Sequence, residues 1–281
     1  MQNLNTMKQY LLIVFCCALG TLPLMAQHSI EILDDNEIFV PGKYNGDHNE
    51  KGEKHGQGKA NLSTGETYDG AWANDKRNGY GKAKLKDGSI YSGDWKDNKR
   101  HGQGIYSFAN GDKYTGLFEK NKMHGTGIYY YANGDRYEGV FADGVISGKG
   151  TFFYKSNDKY EGEFWEGKKH GNGKYTFANG NVFEGMYEND TRTGKGSMTF
   201  PTGDKYVGEF KDGRRTGKGL FVFVNGDKYE GDFLNGMMHG SGTFSWADGD
   251  RFEGYFVNNS RETGKMYRKT VERAEGFSSA K

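Results

Sequence analysis

The sequence predicts an all-β chain: an elongated, single-layer, twisted array of antiparallel β-hairpins. Three observations carry that prediction. Glycine is abundant, at 45 of 281 residues, and aromatic residues make up 15%, while there are only 3 prolines; such a composition suits short strands and tight turns. An aromatic–x–Gly–x–aromatic motif recurs in a fixed 23-residue phase from Tyr68 to Phe256. Two turn positions in each unit accept only Gly, Asn or Asp, the residues that tolerate positive φ. The same glycines disfavour helix, where each is about 1 kcal/mol worse than alanine.

Residues 1–26 differ in kind. Lys8 precedes an apolar run from Tyr10 to Leu19, Gly20 and Pro23 follow, and Leu24-Met25-Ala26 places a small residue before Gln27. A basic start, a short apolar stretch and a small residue at the cut describe a secretory signal peptide. A bilayer span takes about 20 apolar residues, and this run is shorter; a retained anchor is the alternative. Bulky Phe15 ahead of Cys16 and Cys17 disfavours a lipid attachment. The expected location is extracytoplasmic: periplasmic, cell-envelope or secreted. Both cysteines lie in this segment, so the mature chain is expected to use no disulfide and no thiolate chemistry. Residues 27–43 read as a linker, with Ile30, Ile32, Ile38 and Val40 as candidates for an N-terminal capping strand.

The array occupies residues 44–267, about ten units, with 268–281 as a tail. Its first copy, Tyr44-Asn45-Gly46-Asp47-His48, is one residue longer, and its last ends halfway at Gly264-Lys265-Met266-Tyr267. Each unit opens on an aromatic (Tyr68, Tyr91, Tyr114, Tyr137, Tyr160, Phe183, Tyr206, Tyr229, Phe252). A glycine stands two residues on, and a second aromatic two further (Trp72, Trp95, Phe118, Phe141, Phe164, Tyr187, Phe210, Phe233, Phe256). The second half alternates likewise, as in Gly102-x-Gly104-x-Tyr106-x-Phe108. Period two is one face of a strand, so glycines and rings share one face and polar residues take the other.

Parity sets the turns. A two-residue turn at Asn110-Gly111 would send neighbouring rings to opposite faces. A three-residue loop from Ala109 to Gly111, with Gly111 left-handed, pairs Tyr106 with Tyr114 and Gly104 with Gly116. Across the other turn the same alternation pairs Tyr114 with Tyr129, Gly116 with Gly127 and Phe118 with Gly125. Rings folding over neighbouring glycines give the sheet a core of its own.

Composition also bounds the chemistry. With Lys8 removed, basic and acidic residues balance and interleave, a poor footprint for nucleic acid. The loop histidines His55, His101, His124, His170 and His239 are too widely spaced for a zinc site. One aspartate per turn (Asp112, Asp135, Asp158, Asp204, Asp227, Asp250) falls short of the six to eight oxygens calcium takes. Gly-Lys never precedes Ser or Thr, so no phosphate loop is formed. A repeated pattern lacks the unique constellation of an active site. No enzyme, cofactor or metal is expected.

Tyr160-Glu161-Gly162-Glu163-Phe164-Trp165-Glu166-Gly167-Lys168-Lys169-His170-Gly171-Asn172-Gly173 resembles a MORN repeat (membrane occupation and recognition nexus), and the resemblance recurs over residues 44–267. It implies an elongated hairpin array serving as scaffold or interaction module, in some members proposed to contact lipid. Members joined to phosphoinositide kinase or SET methyltransferase domains keep catalysis there, and no such domain is expected here. The reading is an exported, non-enzymatic scaffold for a protein partner. A lipid- or membrane-surface-binding module is the alternative and a cell-envelope glycan binder the third. Trp72, Trp95, Phe118, Phe141, Phe164, Trp165 and Trp246 are the candidate contact surface, with Trp165 set apart by a phase that puts it on the polar face. Leu220, Val222 and Val224 make an apolar patch there. The oligomeric state is left open.

Overall fold

A computed structural model describes residues 42–62 and 64–269. The signal peptide, the capping strand and most of the tail lie outside the described residues. The first strands are β1 (Tyr44–His48), β2 (Lys54–Asn61), β3 (Thr67–Ala73), β4 (Lys76–Lys84), β5 (Ile90–Lys96), β6 (Lys99–Ser107) and β7 (Lys113–Glu119). There follow β8 (Lys122–Tyr130), β9 (Arg136–Ala142), β10 (Val145–Phe153), β11 (Lys159–Trp165), β12 (Lys168–Thr176), β13 (Val182–Glu188) and β14 (Thr191–Thr199). The last are β15 (Lys205–Lys211), β16 (Arg214–Val222), β17 (Lys228–Leu234), β18 (Met237–Ser245), β19 (Arg251–Val257) and β20 (Ser260–Tyr267). All belong to one open antiparallel sheet, and among the described residues every strand pairs only with its neighbours in sequence. Stability in such an array is nearly a sum of neighbour terms.

The three-residue loops form as parity requires. Tyr106 pairs with Tyr114 and Gly104 with Gly116, the Phe108 amide donates to the Asp112 carbonyl at 2.9 Å, and Gly111 has φ 93°. At the other turn both central residues are left-handed, for example Lys120 (φ 48°) with Asn121 (φ 76°) and Glu166 (φ 48°) with Gly167 (φ 78°). This is a type I′ hairpin, whose twist matches that of its strands. It places Phe118 opposite Met123, not Gly125 as alternation alone suggested. The register then jumps by two: Gly116 still faces Gly127, and Gly125 pairs with Phe141 of the following strand. A bulge of two residues absorbs the difference, with Gly125 at φ 62°. Because the insertion is even, the rings keep to one face.

Candidate functional site

The inner face is filled by a continuous ladder of rings. From Tyr68 to Phe256 the first aromatic of each unit packs edge-to-face on the second aromatic of its own unit and on that of the next. Centroids lie 4.8–5.5 Å apart at 74–88°, the geometry that ring quadrupoles favour. Beneath each first aromatic lies a pair of facing glycines; a Cβ at Gly127 would collide with the Tyr114 hydroxyl and ring. That hydroxyl donates to the Leu117 carbonyl at 2.9 Å, and the Tyr91 and Tyr160 hydroxyls do the same three residues on, at 2.8 and 3.0 Å. The acceptor is the residue opposite the bulge, where the ladder register breaks. Gly127→Ala is therefore expected to cost about 1–3 kcal/mol by overpacking. Gly88→Asn, at an open site of φ 92°, should cost under about 1 kcal/mol, since Asn157 holds the equivalent conformation; urea titration of both variants tests the contrast.

A row of long side chains stands opposite the second aromatics: Arg77 faces Trp72, Arg100 faces Trp95, Met123 faces Phe118, Ile146 faces Phe141 and Lys169 faces Phe164. Sequence reasoning missed this row, because the type I′ turn that sets its register was not anticipated. Its signal was the exclusive use of Lys, Arg, Met or Ile at one 23-residue phase. Arg100 is 5% exposed and lies 4.8 Å from the Tyr106 ring centroid. Lys169 is more enclosed, with its Nζ 5.2–5.9 Å from the rings of Tyr154, Tyr160, Tyr175 and Tyr187 and 3.8 Å from Asp190 Oδ1. Burial drives its ammonium down to about 8 against the opposing pull of Asp190. Burial likewise holds the tyrosine hydroxyls of the ladder above their ordinary range.

Both margins of the ribbon are laced. The Asp112 carboxylate accepts the Ala132 amide at 2.7 Å and the Tyr129 hydroxyl at 2.8 Å; Asp135, Asp158, Asp204, Asp227 and Asp250 each accept an amide of the following loop. At the type I′ margin the Asn121 side chain accepts the Arg100 amide at 2.8 Å. These turn aspartates bind the next unit.

The sequence-predicted contact residues separate accordingly. Trp72, Trp95, Phe118, Phe141 and Phe164 are buried in the ladder, which removes them from the exposed surface: each is covered by rings of two units. Trp72 and Trp95 also donate their indole N–H to the carbonyls of Gly58 and Gly81 at 3.0 and 3.1 Å. Trp246 is half-buried against Phe244 and Arg261. Trp165 is 59% exposed on the outer face, as its phase indicated. A groove is found instead on the other side of the sheet. There the glycine pairs leave the backbone bare, and a shallow channel of about 940 Å³ runs over Gly173, Gly185, Gly196 and Gly208 between Lys174, Glu184, Lys195, Val207, Glu209 and Lys218. A second stretch of about 860 Å³ continues over Gly219, Gly231, Gly242 and Gly254.

Eight consecutive stretches of 23 residues, 68–90, 91–113, 114–136, 137–159, 160–182, 183–205, 206–228 and 229–251, match the MORN repeat. The chain belongs to the MORN-repeat family. Among individual MORN-containing relatives, a radial spoke head 1 homolog of Cyprinus carpio is 58% identical over 40 residues. That stretch covers 14% of this chain and 18% of the relative, so the chain spans less than a fifth of its length. The MORN array is also similar to the TCP10 domain of Danio rerio CPAP, solved with a peptide of STIL, at 10% identity and a TM-score of 0.46 over 81% of this chain and 99% of that one. For the TCP domain of Drosophila melanogaster SAS-4, solved with a proline-rich motif of Ana2, the values are 14%, 0.33, 60% and 85%. As a MORN array the protein is a repeat scaffold or interaction module.

Proposed function

We propose that this MORN-repeat protein is an exported, non-enzymatic scaffold that binds a protein partner along its outer face. One observation carries the reading: the rings are spent on the chain's own packing, while the opposite face presents a bare-backbone channel. Met186, Val207 and Tyr255, all exposed, interleave there with lysines and glutamates, the mixture of apolar anchors and charge that protein surfaces recognise. The most perturbed cation, Lys169, is sealed among rings on the inner face, away from both stretches of that channel. A repeated site with no open, unique acid or base among the described residues suits binding better than turnover.

The test is affinity capture from the envelope fraction of the source cell, with identification by mass. Lys195→Glu/Val207→Asp/Lys218→Glu is expected to lose the captured partner at least tenfold while keeping the circular dichroism of the parent. Capture indifferent to those substitutions would refute the outer-face reading. Sedimentation with anionic and neutral vesicles at low salt separates the lipid alternative, which requires co-sedimentation. Export is read from the mass of the mature chain, expected to begin at Gln27; retention of residues 1–26 on a membrane pellet would instead mean an anchor.

A further inference from the structure

The repeat rules leave the two ends of the array unfinished in complementary ways. Every inner first aromatic from Tyr68 to Tyr229 touches two second aromatics and is 0–1% exposed; Phe252 touches Phe256 alone and is 8% exposed. Its missing neighbour is the second aromatic of a following unit. At the opposite end β1 carries a ring at that position, His48, packed edge-to-face on Tyr44 at 5.2 Å and 83°, the same relation found inside the ladder. No unit among the described residues packs on its outer side.

The two edge strands also match in register. In β14–β15, Gly196 faces Gly208, Met198 faces Tyr206 and Thr199 faces Lys205. Within the chain, Gly264 and Met266 of β20 face Gly254 and Phe252 on the inner side, while Lys265 faces Glu253 on the outer side. In β1, Tyr44 and Gly46 point inward and Asn45 pairs with Lys59 outward. Setting β20 of one copy against β1 of another with Gly264 opposite Gly46 puts Met266 opposite Tyr44 and Tyr267 opposite Lys43, repeating the β14–β15 pairing. Glu262 then falls opposite His48, where β14 has Gly194 opposite Phe210; the carboxylate pairs favourably with a protonated imidazole at that place. On and just beyond β20, Arg261, Lys265, Arg268 and Lys269 outnumber Glu262, although Arg268 is already paired with Asp250. In and beside β1, Asp47, Glu50 and Glu53 are balanced by Lys43, Lys51 and Lys54, so the match rests on register and rings rather than on net charge.

We propose that a second copy of this chain is the partner of the end strands: β20 of one copy pairs with β1 of the next, head to tail, so that the sheet and its ring ladder run on from copy to copy. An exposed edge strand offers a full row of unpaired backbone groups. A heterologous contact that does not close extends as a filament. Each added copy lengthens the ribbon by about 90–100 Å, at roughly 4.8 Å per strand.

The experiment uses the full chain carrying Cys16→Ser and Cys17→Ser, in the form recovered from expression. Asn45→Cys/Lys265→Cys places thiols on directly opposed, exposed outer-face positions, and mild oxidation is expected to give a ladder of disulfide-linked dimers, trimers and higher species. Asn45→Cys/Glu262→Cys, three residues out of register, should give less than a tenth of that product. Sedimentation of the cysteine-free chain is expected to show mass rising with concentration. A monomer at every concentration, including one whose β1 edge is occupied by residues 27–41, overturns the proposal. So does cross-linking in either single-cysteine variant at the yield of the double variant, which would mean a symmetric contact.

Discussion

Replacing Tyr137 by alanine is expected to remove about 3–5 kcal/mol of stability, the range for truncating a large buried ring. Tyr137 is fully buried over Gly139 and Gly150, packs on Phe141 and Phe164 at 5.3 and 5.2 Å, and donates its hydroxyl to the Val140 carbonyl at 3.2 Å. Nothing from outside the sheet can collapse into the space, so the cavity persists and both flanking units lose their shared neighbour. The variant should also unfold in two stages in urea, because a weakened central unit uncouples the halves of a nearest-neighbour array. Tyr137→Phe isolates the hydroxyl and should cost about 1 kcal/mol; Phe183 and Phe252 already occupy the equivalent position without one. An alanine variant within 1 kcal/mol of the parent, or one that unfolds in a single unchanged transition, would contradict the ladder as the core.

Lys169→Met is expected to stabilise the protein by about 1–4 kcal/mol, as buried ions often do when exchanged for apolar groups of similar volume. The chain supplies the precedent, since Met123 and Met238 stand in the same row. The sign follows from proton counting. The ammonium titrates near 8 in the folded state against an ordinary 10.5. Between these values the unfolded chain binds more protons, so stability rises with pH across that window, at most about 1.4 kcal/mol per pH unit. The ladder tyrosines act in the opposite sense. Their folded hydroxyls hold protons above the ordinary value of 10.0, with Tyr206 and Tyr229 raised to about 12. Unfolded tyrosines ionise first, and stability falls steeply above pH 10. Thermal midpoints should therefore climb from pH 8 to about 10 and then drop, with the tyrosinate absorbance of the buried ladder tyrosines appearing only on unfolding. In Lys169→Met the climb should shrink to the smaller part that Lys54, whose ammonium burial also lowers, contributes, while the alkaline fall remains. A climb of unchanged size after the substitution would assign the titration to another group.

The repeat and its turns were legible because they depend on local chemistry. Gly111 and Asn157 are left-handed where only Gly, Asn or Asp can stand, and the Tyr106–Tyr114 pairing followed from parity alone. What could not be read was the length of the second turn. Lys120 and Glu166 give no hint of positive φ, since a type I′ turn imposes it on them through its second residue and the strands' twist. That one unseen turn hid the two-residue bulge, the cation row and the position of Lys169. The candidate contact surface narrows as well: alternation already favoured self-packing for any single ring, and Trp72 and Phe118 are indeed covered by neighbouring units.

The sequence by itself determined the alternation, the 23-residue phase, the single sheet and the placing of rings with glycines, because side-chain direction in a strand depends only on parity and left-handed turns only on residue type. The tertiary structure alone decided which face is free. Burial is a property of neighbours across strands, and each ring is covered by the unit before or after its own. It took the packed sheet to show that the aromatic side is closed and the bare glycine side is open.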